Sequence, residues 1–223
     1  MQSFKVIDLG RMPYEAALIK QESLFNEILE HKRLGQKHDK NTLLLVEHAP
    51  VYTLGKSGDL ANLKRKPEEV GATFYKTSRG GDITYHGPGQ IVGYPIFDLE
   101  QFDMGIAKYI WSIEEAVIQT ITEYGLIGGR IEEASGVWLD HENEKPRKIC
   151  AIGVKASRYV TMHGFAFNVN TDLSFFEHIV PCGIEDKGVT SMENELGGKQ
   201  NFDAIQNLVT SKFKDLFKVK TIT

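Results

Sequence analysis

The residue pattern predicts an α+β domain, with hairpin-joined strands and amphipathic helices packed outside them. Three observations predict it. Helical periodicity occurs near both ends and in the middle of the chain, strand-like runs lie grouped between those segments, and a polar, Pro-terminated stretch from His141 to Pro146 joins two of the runs directly. Strands do not alternate one by one with helices, which disfavours a doubly wound parallel sheet.

Each element has a local cause. From Tyr14, the apolar positions Leu18, Phe25, Ile28 and Leu29 recur at helical spacing, with Pro13 where a helix begins and Gly35 where one stops. Leu43 to Val46 is a short apolar run, read as a buried strand. Ser78 to His86 is dense in glycine and polar residues and reads as a loop, whereas Gln90 to Leu99 reads as a strand. Ile106, Ile110, Ile113, Val117, Ile121 and Tyr124 mark a long amphipathic helix closed by Gly125. Gly136 to Leu139, Lys148 to Lys155 and Val160 to Val169 follow as three strands, the first two joined at the His141–Pro146 turn. Ile205, Leu208, Val209, Phe213, Leu216 and Phe217 give a C-terminal helix.

Composition excludes several functions. The 223 residues are 41% hydrophobic and 25% charged, ordinary for a globular protein, and one core can still grow to this size. No apolar run reaches the roughly eighteen residues of a membrane helix, and the N-terminal stretch lacks the order of a secretory signal, so the expected location is the cytoplasm. A formal net charge of -4 disfavours general nucleic-acid binding, and the basic run Lys64-Arg65-Lys66 reads by itself as a solvated loop. Of the two cysteines, Cys150 and Cys182, neither lies in a Cys-x-x-Cys or a Cys/His cluster, so no metal site is expected.

Two segments point to chemistry. Arg79 to Gln90 packs four glycines and a proline into twelve residues. Glycines let backbone approach a ligand closely and expose N–H groups, while Arg79, Thr84, Tyr85 and His86 add charge and hydrogen-bonding groups. The stretch is neither a P-loop nor Gly-x-Gly-x-x-Gly. Cys182 lies between Pro181 and Gly183, which hold a cysteine in a loop where it can reach a substrate, whereas Cys150 sits among Ile149, Ala151 and Ile152 on a strand and reads as core filling. A nucleophilic cysteine needs a partner that favours the thiolate. His86, His163 and His178 are candidates, and Lys148 is a second type, acting by Coulomb attraction.

At these residues the chain resembles a family. RGGDITYHGPGQIVGYPIFDL, KICAIGVKASRYVTMHGFAFNV, PCGI and GVTSMENELG, in that order, resemble the lipoyl(octanoyl) transferases, also called lipoate–protein ligase B, over about Glu47 to Gly197. The resemblance implies the biotin and lipoate protein ligase fold, a mixed β-sheet flanked by helices, as a single octanoyltransferase catalytic domain over residues 1–223. It implies transfer of an octanoyl group from octanoyl-acyl carrier protein to a lysine of lipoyl domains of 2-oxoacid dehydrogenases and the glycine cleavage H protein, with no ATP and no cofactor. By motif, Cys182 becomes the acyl-thioester nucleophile and Lys148 the residue that lowers its pKa. Arg79, Gly80, Gly81, Asp82, Ile83, Thr84, Tyr85 and His86, with Ala151, Ile152, Gly153, Gly164, Phe165 and Ala166, become the wall around the acyl chain.

Cys150 departs from the alanine expected there, and its closeness to the site in sequence is expected to confuse thiol-modification tests. Both protein partners implied by the resemblance are acidic, which gives Lys64-Arg65-Lys66 a second reading as a docking patch. The alternative within the same fold is an ATP-dependent lipoate or octanoate ligase. A hydrolytic cysteine enzyme using Cys182 with His163 or His178, and a non-catalytic acyl-binding module, are further readings.

Overall fold

A computed structural model of the chain describes residues 4–180 and 188–217. Their elements, in order, are β1 (Lys5–Arg11), α1 (Tyr14–Arg33), β2 (Thr42–Glu47), β3 (Val51–Leu54), β4 (Thr73–Lys76), β5 (Ile83–His86), β6 (Gln90–Ile96), α2 (Ile106–Thr122), β7 (Gly128–Ile131), β8 (Ala134–Leu139), β9 (Arg147–Ser157), β10 (Val160–Asn168), β11 (Gly188–Val189), α3 (Met192–Leu196) and α4 (Phe202–Leu216). The large sheet has the order β1-β2-β6-β10-β9-β8-β7, with β11 beside the start of β9. It is mixed: β1 runs parallel to β2 and β11 to β9, while the other pairs are antiparallel. A small sheet of order β4-β3-β5 packs separately.

Helices cover both faces of the large sheet. On one, Tyr109, Ile113 and Val117 of α2 and Ile205, Val209 and Phe213 of α4 meet Leu43, Leu45, Ile91, Phe165 and Phe167. On the other, Ala17, Phe25 and Ile28 of α1 meet Leu44, Val46, Val92 and Ala166. The β2 run Leu43 to Val46 is therefore continuous in sequence because alternate side chains enter two different cores.

Three features depart from the sequence reading. β1 lies at a sheet edge with most side chains in solvent, so no apolar period marks it. The small sheet was not foreseen. The stretch Ser78 to His86 is not loop throughout, because Ile83–His86 pairs antiparallel with Val51–Leu54. Its polar residues are inward-facing rather than solvated, which hides the strand from a polarity pattern.

Candidate active site

A β-bulge places the lysine. Gly136 pairs with Ala151 and Val137 with Cys150, but Trp138 pairs with Lys148, leaving Ile149 as the extra residue of β9. Consecutive side chains Ile149 and Cys150 then both enter the α2/α4 core, while Lys148 and Ala151 both line a cavity on the sheet. Lys148 Nζ donates to the Ser135 carbonyl at 3.3 Å and stands 4.5 Å from the centroid of the Trp138 ring, within cation–π range.

That cavity has about 550 Å³ of free space, its open mouth included. Its floor is β9 and β10 through Ala151, Ile152, Gly153, His163, Gly164, Phe165 and Ala166, with Val92 and Tyr94 of β6 continuing it. Its roof is the glycine-rich segment through Arg79, Gly81, Asp82, Ile83, Thr84 and His86, and Tyr14 closes one end. A second cavity, lined by Ser57, Gly80, Ile110 and Ser135 among others, shares Lys148, Gly81, Asp82, Ile152 and Gly153 with the first. Lys148 therefore borders both.

The roof is pinned to the floor by close backbone approach. Gly80 N–H donates to the Val154 carbonyl at 2.9 Å, and a Cβ on Gly153 would come within 3.0 Å of Gly80 O. Arg79, buried, donates to the carbonyl and the hydroxyl of Thr53. The hydroxyl in turn faces His86 Nε2 at 3.3 Å, and His86 Nδ1 faces the Gln90 amide oxygen at 2.9 Å. Gln90 Nε2 donates to Tyr85 O and Asn168 Oδ1. This partner set fixes a neutral His86 with its proton on Nδ1. Burial, with His48 next in weight, pushes its pKa down to about 3. His163 is pushed to about 3 as well, by burial first and then by Arg79 and Lys155, and its Nε2 meets Ser78 Oγ at 3.1 Å.

All the wall residues proposed from the motifs line one or both cavities except Tyr85. Alternation along β5 turns Tyr85 away, to stack on Phe175 at 4.6 Å. Cys182 lies outside the described residues. Its described neighbours are Val180, whose N–H donates to Asn62 O at 2.8 Å, and Gly188, which pairs with Arg147. Asn62 in turn donates from its side chain to Asp82 in the cavity roof. His178 ends a 3-10 turn and does not line either cavity. Tyr14, Val92, Tyr94 and Trp138 were not singled out in the sequence as site residues. Their apolar setting marks them as core, and only the fold shows the cavity beside the first three and Lys148 over the Trp138 ring.

The fold is that of the lipoate and biotin protein ligases. The chain superposes on a bi-partite lipoate protein ligase from Thermoplasma acidophilum with TM-score 0.65 at 18% identity, covering 100% of this chain and 88% of that one. It superposes on the biotin protein ligase of Aquifex aeolicus, solved with biotin and ATP, with TM-score 0.56 at 13% identity, covering 96% and 70%. A curated relative, the octanoyltransferase of Parabacteroides distasonis, is 52% identical over 221 residues, covering 97% of this chain and 100% of the relative. The model of the lipoyl protein ligase A/B catalytic domain matches residues 13–214. The chain belongs to that family.

Proposed function

We propose that this protein is an octanoyltransferase of protein lipoylation, acting as one catalytic domain over residues 1–223 and working through an acyl-thioester on Cys182. The observation that carries the reading is Lys148, which borders two cavities, one of them floored by apolar strand residues. An acyl chain on that floor puts its carbonyl at the amine, and the second cavity gives a separate approach for the group that arrives or leaves. Identity of 52% along the full length of an octanoyltransferase supports the same reading.

The donor is octanoyl-acyl carrier protein, and the acceptor is a lysine of a lipoyl domain of a 2-oxoacid dehydrogenase or of the glycine cleavage H protein, in the cytoplasm. The Cys182 thiolate attacks the donor thioester carbonyl. The carbon–sulfur bond to the carrier breaks, and the departing thiolate takes a proton from Lys148, which is left as the neutral amine. The acceptor amine then attacks the new thioester, loses a proton to Lys148, and expels the Cys182 thiolate as the amide forms. Cys182 follows Val180 by two positions in the chain. Val180 is tied through Asn62 to Asp82 at the roof.

The test is incubation of the purified protein with octanoyl-acyl carrier protein and a lipoyl domain, read by mass spectrometry. An octanoyl amide on the acceptor without ATP, lost in Cys182→Ser and Lys148→Ala, is expected. Transfer only from free octanoate and only with ATP would overturn it.

A further inference from the structure

We infer that Glu114 is a positioning residue for the Lys148 amine, acting through the Ser135–Gly136 peptide group that lies between them. This inference rests on the reading of Lys148 as the catalytic amine.

One contact to Lys148 comes from the Ser135 carbonyl, at 3.3 Å. The N–H of the same peptide group, on Gly136, donates to Glu114 Oε1 at 3.0 Å. A trans peptide points its C=O and N–H to opposite sides, so one planar unit stands between the carboxylate and the amine. A carboxylate on the N–H side polarises the amide and strengthens its carbonyl as an acceptor; the Glu114 end of this chain is buried and the Lys148 end opens to the cavity. Glu114 is only 6% exposed. Its second oxygen accepts from Arg130 Nε at 2.9 Å, and Arg130 is itself held by Glu115, by the Trp111 carbonyl and over the Trp111 ring.

Backbone geometry requires this arrangement. Gly136 has φ of 130°, and a Cβ there would lie 2.4 Å from the Cys150 carbonyl, so glycine alone permits the peptide orientation that aims one end at Glu114 and the other at Lys148. Trp138, two residues on, holds the amine from its ring face. A bracing role alone would ask nothing of the amine beyond the peptide. The geometry ties the two.

The experiment uses the full chain with Glu114→Ala, Glu114→Gln, which keeps an acceptor oxygen, and Glu114→Asp, which withdraws it by one methylene. Two readouts are taken: steady-state octanoyl transfer, and the labelling rate of Lys148 by an acetylating reagent relative to Lys155 on the same strand. Glu114→Ala is expected to lower kcat by about tenfold to a hundredfold, as a displacement on the order of 1 Å does, with KM for donor and acceptor within twofold. Its Lys148:Lys155 labelling ratio should rise threefold or more, because a weaker Ser135 acceptor leaves the amine freer to meet the reagent. Glu114→Gln should recover at least fivefold of the lost kcat. If Glu114→Ala does not fold, Glu114→Asp carries both measurements in the same direction. A folded Ala or Asp variant with wild-type labelling ratio and kcat overturns the inference, and so does a Gln variant no better than Ala. If Lys148→Ala transfers like wild type, the catalytic reading of Lys148 falls, while the labelling ratio still judges the link to Glu114.

Discussion

His86 and His163 make stability depend on pH in a calculable way. Both are buried with pKa values near 3 against an ordinary 6.5, so the folded chain keeps them neutral where the unfolded chain protonates them. The unfolded state binds more protons, so stability is complete above about 6.5 and falls as pH drops toward 3. At about 1.36 kcal/mol per pH unit, each histidine costs about 2 kcal/mol at pH 5, and the two together about 4 kcal/mol. His48, pushed down by burial, adds in the same direction. Glu115 and Glu195 lose their contribution only as pH falls below their ordinary 4.5, so the window from pH 7 to 5 isolates the histidines. Urea unfolding at both pH values, followed by circular dichroism, measures the difference within each protein. His86→Gln with His163→Asn removes both titrations; asparagine suits the left-handed backbone at position 163, where φ is 58°. Equal loss of stability between pH 7 and 5 in wild type and the double variant would rule out the two histidines as the cause.

Two other outcomes follow from the same geometry. Ile152→Trp fills the space shared by both cavities; displacing two methylenes at about 0.8 kcal/mol each should lower the octanoyl-to-hexanoyl kcat/KM ratio roughly fifteenfold, and an unchanged ratio in a competition assay counts against an acyl chain on that floor. Cys150 is fully buried and its thiol pKa is pushed far up by that burial, so iodoacetamide should leave it unmodified in the native protein and alkylate it only after denaturation, as peptide mass mapping can show. This corrects the expectation that Cys150 would confuse thiol modification. Closeness in sequence does not give exposure when the bulge turns the side chain into the core.

The long helices and the central strands were legible because each repeats one period over many residues. Tyr14–Arg33 and Ile106–Thr122 run within a few residues of where Pro13, Gly35 and Gly125 placed their limits. The glycine-rich segment was legible as a place of close approach, and Lys148 as a candidate partner for a thiolate. The strand β5 was not, because Thr84 and His86 are polar residues aimed at a cavity, and a polar run reads as solvent-facing.

Local period and side-chain chemistry were enough for the α+β class, the sheet-forming runs and the residue types that can form and favour a thiolate, while acyl transfer entered through the resemblance of the motifs. Strand packing makes Lys148 and Ala151 face the cavity while Ile149 and Cys150 do not, because a one-residue bulge against β8 reverses the alternation that a strand pattern assumes. The same packing brought Glu114, twenty-two positions before Gly136, to the peptide that holds the lysine. Such a contact is set by packing of α2 on the sheet, which no spacing in the chain records.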